Sequence, residues 1–119
     1  MLPPEVYKIL HILGVAWLFF ALGGATLHAL NGGDKASNKS RKLVAASHGI
    51  ALVIILVAGF GLLGGKKMGM WVHLKSALWL ALGASLVLVQ RKPALARVLW
   101  FVFPLLAAAG AYLAVYKPG

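Results

Sequence analysis

Apolar positions along this chain fall into four long blocks separated by short polar breaks. The first block runs from about Val6 to Leu30, the second from about Leu43 to Leu63, the third from about Trp71 to Val89 and the fourth from about Leu95 to Tyr116. At about 1.5 Å per residue, each is long enough to cross about 30 Å of hydrocarbon as a helix. The breaks carry helix-stopping chemistry. Asn31-Gly32-Gly33-Asp34 closes the first block and Gly64-Gly65-Lys66-Lys67 the second, since glycine and asparagine suit a helix C-terminus. Gln90-Arg91-Lys92-Pro93 closes the third, because the residue before proline is pushed out of the helical region. Pro3 and Pro4 stand where proline is tolerated at a helix start, and Pro104 should bend the fourth helix. The pattern predicts an all-α fold: an integral membrane four-helix bundle, connected up-and-down, with residues 1–119 as one transmembrane domain.

Composition supports that class. The 119 residues are 61% apolar with two acids, and the mean hydropathy is +0.88. Soluble domains are about one-quarter charged; here 12% of residues are. The net charge of +10 would suggest nucleic acid in a soluble protein, but the cations lie mostly between apolar blocks, where they anchor loops to anionic headgroups. The bilayer is therefore the expected partner, and nucleic acid is not. No cysteine is present, which excludes disulfides, thiolate metal sites and covalent c-type haem. The first apolar block is too long for a signal-peptide core, so a secretory signal is not expected.

Small residues mark faces for close helix packing, which must help where lipid offers no hydrophobic drive. Gly14, Ala21, Gly23, Gly24 and Ala25 lie in the first block, Ala51, Ala58, Gly59 and Gly61 in the second, and Ala107 to Ala111 in the fourth. Four spans put both termini and the Lys66/Lys67 loop on one side, here side A. The loops around Lys39 and Arg91 fall on side B. Lys8, Lys66, Lys67, Lys75 and Lys117 are five cations toward side A; Lys35, Lys39, Arg41, Lys42, Arg91, Lys92 and Arg97 are seven toward side B. That bias favours a cytoplasmic side B with both termini outside.

Four histidines form the candidate chemistry. His11 and His73 fall at similar depth toward side A, and His28 and His48 toward side B. A pair of imidazoles inside a helical bundle can hold haem iron. Stepping by three and four residues, as a left-handed bundle requires, the first seam is His11, Gly14, Leu18, Ala21, Ala25 and His28. The second is His48, Ala51, Ile55, Ala58 and Leu62; the third is His73, Ser76, Leu80, Gly83, Val87 and Gln90. On this reading His11 and His73 are haem-iron ligands, and His28 and His48 either hold a second haem or sit at the interface bonded to water or backbone. Lys75 lies about 200° around the helix from His73. Its stripe of Trp79, Leu82, Leu86 and Val89 looks lipid-facing, with the ammonium snorkelling to side A; in the alternative, Lys75 faces the site and His73 does not.

Two stretches resemble a known family. Lys8-Ile9-Leu10-His11-Ile12 with Trp17, and Trp71-Val72-His73-Leu74-Lys75, are similar to the first helix and to the Trp-x-His-x-Lys opening of the third helix in HemJ-type protoporphyrinogen oxidases. Related patterns occur in CopD-like and SirB-like small membrane proteins. The resemblance covers some 40 residues. It implies haem b, with His11 and Lys75 at the binding and active positions, and a bacterial cytoplasmic membrane location.

The expected function is thus a haem-b-binding membrane redox protein that transfers electrons or oxidises a porphyrinogen, with a redox partner or porphyrin-type substrate and scope for a homo-oligomer. The alternative is a transport, metal-handling or accessory subunit without haem. Proton-coupled cation export needs an intramembrane carboxylate, whereas Glu5 and Asp34 both lie near the surface.

Overall fold

In a computed structural model the chain forms four helices: α1 (Pro4–Leu30), α2 (Arg41–Leu63), α3 (Met70–Arg91) and α4 (Ala96–Tyr116). The structure describes residues 2–66 and 68–117. All four helices are long and apolar enough to cross a membrane, and the chain is an integral membrane helical bundle. The breaks work as their sequences predict. Gly64 caps α2 at φ +60°, a backbone position open to glycine at little steric cost, and its N–H reaches the Phe60 carbonyl. Pro93 cannot extend α3 and instead opens a 3₁₀ turn, Pro93–Leu95, that leads into α4. Pro104 lies inside α4 and leaves the Trp100 carbonyl without its helical partner.

The most extensive packing is between α1 and α2, and α2 does not meet α4. Gly14 makes the α1–α2 approach close. A Cβ built there would lie 2.9 Å from Ile55 Cγ1, 3.1 Å from Ile54 Cγ2 and 3.2 Å from the Ala51 carbonyl oxygen. The contiguous core comprises Leu18, Leu22 and Ala25 of α1, Ala51 of α2, Leu82, Leu86 and Val89 of α3, and Leu99 and Phe103 of α4. These positions all fall in the side-B half of their helices. Large apolar side chains outside the core, such as Phe20, Phe101, Leu105 and Val115, are exposed on the helix surfaces, where they meet acyl chains.

The α1 and α2 seams are those the sequence predicts: Gly14, Leu18, Ala21 and Ala25 are buried on α1, and His48, Ala51 and Ala58 on α2. The α3 face is not. Its buried residues are Val72, Leu82, Ser85, Leu86 and Val89, while His73, Leu80 and Val87 are exposed. The stripe expected to face lipid therefore faces the bundle. The physical reason is polar satisfaction: turning α3 this way lets the Trp79 indole Nε1–H donate to the Leu52 carbonyl of α2 at 3.0 Å, a partner lipid cannot provide.

Candidate functional site

The site begins with His11. Its Nδ1 lies 3.2 Å from the Ile55 carbonyl oxygen of α2. A carbonyl only accepts, so Nδ1 carries the proton and donates, and Nε2 keeps its lone pair. Gly59 adjoins the contact, since in a helix the carbonyl of residue 55 points toward residue 59. A Cβ at Gly59 would lie 3.5 Å from His11 Cε1 and 3.7 Å from Nδ1, so the imidazole rests directly against this glycine.

His11, Ile55, Lys75 and Trp79 stand between two cavities and line both. The smaller, about 80 Å³, lies among α1, α2 and α3 and is also lined by Phe60, Trp71 and Val72. The larger, about 380 Å³, lies among α1, α3 and α4, within the order of size usual for small-molecule sites. Its mouth is formed by the exposed residues Ile12, Ala16, Ala111 and Ala114, so it opens sideways onto the bilayer. Apart from the His11 ring and the Lys75 ammonium, its walls are apolar.

Lys75, not His73, is the α3 residue that joins His11. His73 is exposed and lines neither cavity. The expected meeting of His11 with His73 is corrected accordingly: the inward turn of Trp79 carries Lys75, four residues earlier on the same face, into the bundle. A second cation, Lys117, lies at the same end of the bundle as Lys75. Lys117 caps α4 in the left-handed conformation and places its ammonium 5.4 Å from the centre of the Trp71 ring, a cation–π distance. Side A of the site is therefore rimmed by two cations. Lys67, another side-A cation, lies outside the described residues.

The side-B histidines are structural tethers. His48 is 4% exposed and its Nε2–H donates to the Leu82 carbonyl of α3 at 3.1 Å. His28 Nε2 is 2.8 Å from the Asp34 carbonyl oxygen and 3.1 Å from Ser37 Oγ, pinning the loop onto the end of α1. Gly33 makes room for that ring, since a Cβ there would collide with it. Asp34 and Ser37 bond reciprocally: the Ser37 N–H donates to Asp34 Oδ1 at 2.9 Å and the Asp34 N–H to Ser37 Oγ at 3.0 Å. These bonds hold the Asp34 carboxyl below the usual carboxylate range, the Ser37 backbone N–H contributing most. His28 and His48 share no cavity with each other or with His11; like His11, each has one ring nitrogen on a backbone carbonyl. Sequence reasoning missed Trp79 and Gly59. The first was findable from its need for an acceptor, and the second from its place four residues after Ile55.

No protein-family model, curated protein or solved structure matches the chain.

Proposed function

We propose that the chain is a haem-b-binding membrane redox protein in which His11 supplies an axial nitrogen. One observation carries this reading: the Nδ1–H bond to the Ile55 carbonyl fixes the tautomer and leaves the Nε2 lone pair beside an apolar cleft. Metal-bound histidines are oriented in this way by a carbonyl or carboxylate on the other ring nitrogen. The donor set fits haem better than a bare ion. Among the described residues no three His, Cys, Asp or Glu side chains gather, and a structural or catalytic divalent ion takes at least three such donors, whereas haem iron needs only axial ones.

Bound haem would supply one-electron exchange at its iron. The chain's own contributions are separate. His11 and Lys75 would hold the group in the cleft, His11 by its ring nitrogen and Lys75 by its ammonium, and Lys117 would add positive potential at side A. Trp79, tied to Leu52, would keep the α3 wall of the cleft in place. Electron transfer and porphyrinogen oxidation both remain within this reading, as the HemJ-type resemblance implies. Seven cations toward side B against five toward side A favour a cytoplasmic side B with both termini outside, and the HemJ-type resemblance implies a bacterial inner membrane.

The test is the visible spectrum of detergent-purified protein supplemented with haem, recorded for wild type, His11→Ala, His73→Ala and His48→Leu. Wild type should show a Soret band of a low-spin or five-coordinate b haem. His11→Ala should lose or strongly shift it. His73→Ala and His48→Leu should keep it. A wild-type protein without a Soret band, or a His11→Ala spectrum identical to wild type, would end the proposal.

A further inference from the structure

The larger cavity does not stop at His11 and Lys75. A second cleft of about 440 Å³ between α1 and α4 shares Val15, Ala16, Phe19 and Ala107 with it. The two abut along these residues, and together they form a groove that reaches Thr26 and Trp100. From the level of His11 to that of Thr26 the groove spans about 22 Å of helix. One leaflet of the bilayer core is about half of 30 Å, so an extended acyl chain can lie along it in full. Small residues, Ala16, Gly23, Ala107 and Gly110, create the space.

The groove is charged at one end only. Lys75 lines it there, and Lys117 lies over Trp71 at the same end of the bundle. The chain has two acids: Asp34 is bonded to Ser37 in the opposite loop, and Glu5 is exposed in the first turn of α1. A half-buried ammonium at membrane depth with no carboxylate bonded to it among the described residues calls for an anion. The head is a monoanion by its surroundings. One ammonium faces the groove, and the nearby hydroxyl, Ser76 Oγ, is spent on the Val72 carbonyl at 2.9 Å. No arginine fork lines either cleft to grip a phosphate.

We propose that this groove binds a single-chain carboxylate amphiphile, a long-chain fatty acid, with its carboxylate on Lys75 and its tail between α1 and α4. The inference does not rest on haem binding. Moving a tail from lipid into an apolar groove gains no hydrophobic free energy, because both environments are hydrocarbon. Selectivity therefore comes from the head, and the tail gives register.

The test uses full-length protein, without added haem, in nanodiscs of zwitterionic phosphatidylcholine. Native mass spectrometry counts bound palmitate, hexadecanol and palmitoyl lysophosphatidate offered at equal concentration. Palmitate should bind one to one, hexadecanol should not, and the phosphate should bind less well. Lys75→Gln should weaken palmitate about tenfold to a hundredfold, the range for losing a charged hydrogen bond, and Lys75→Arg should retain it. Ala107→Phe, at the junction of the two clefts, should abolish binding, whereas Leu105→Phe on the lipid face should not. Tryptophan fluorescence on each variant verifies folding. Equal retention of palmitate and hexadecanol, unchanged binding by Lys75→Gln, or preference for the phosphate would each overturn the assignment.

Discussion

Replacing Gly14 with alanine should loosen the bundle at its tightest seam and disturb His11 three residues away. The added methyl would lie 2.9 Å from Ile55 Cγ1, 3.1 Å from Ile54 Cγ2 and 3.2 Å from the Ala51 carbonyl oxygen. Both isoleucines are β-branched and stiff at χ1, and the carbonyl belongs to the α2 backbone. The strain is therefore relieved mainly by moving one helix away from the other. Overpacking of this kind costs about 1–3 kcal/mol. In water, alanine would recover about 0.5–1 kcal/mol over glycine in a helix interior. In a bilayer or detergent the unfolded reference keeps its helices, so little of that gain is realised. A net loss of about 1–2 kcal/mol is expected. Gly23→Ala is the matched control, because nothing lies within 4 Å of a Cβ there, and it should stay within about 0.5 kcal/mol of wild type. The assay is reversible unfolding in mixed micelles with increasing dodecyl sulfate, followed by tryptophan fluorescence. Equal midpoints for the two variants would refute the close approach of α1 to α2.

Two further outcomes follow from the tethers. His48→Leu removes the buried donor to the Leu82 carbonyl and should lower stability by about 1–2 kcal/mol in the same assay, near the upper end for interhelical hydrogen bonds in membranes; a change below the error of the assay would make the tether idle. In the side-B loop, the lowered pKa of Asp34 means that its bonds to Ser37 are present above the ordinary carboxylate pKa and are lost as pH falls through the lower, folded value. Hydrogen exchange of the Ser37 amide should therefore stay protected, relative to an unstructured amide, until the pH drops below the ordinary Asp pKa of about 3.9. Loss of protection at higher pH would contradict the loop geometry.

The helices were readable because apolar length and glycine or proline breaks are local properties. The α1 and α2 faces were readable because small residues recur along Gly14–Leu18–Ala21–Ala25 and His48–Ala51–Ala58. On α3 that guide fails. The helix is apolar on nearly every side, and Gly83 draws attention to a face that is not the buried one. What orients α3 is the fate of polar atoms in hydrocarbon: the Trp79 N–H needs an acceptor and finds Leu52 on another helix. Weighing indole and ammonium groups ahead of small residues would have turned Lys75 inward and His73 outward from sequence alone. The His11 contact was less accessible, since its partner is a backbone oxygen of another helix, which no side-chain pattern marks.

Two of the bonds that join α2 to its neighbours rest on main-chain oxygens at Leu52 and Ile55. Acceptors of this kind are present whatever amino acid occupies the position. Substitution tolerance across the bundle is thereby made lopsided: residues 52 and 55 can change identity freely as far as these bonds are concerned, while His11 and Trp79 cannot, and Gly59 must stay small enough to let one of them through.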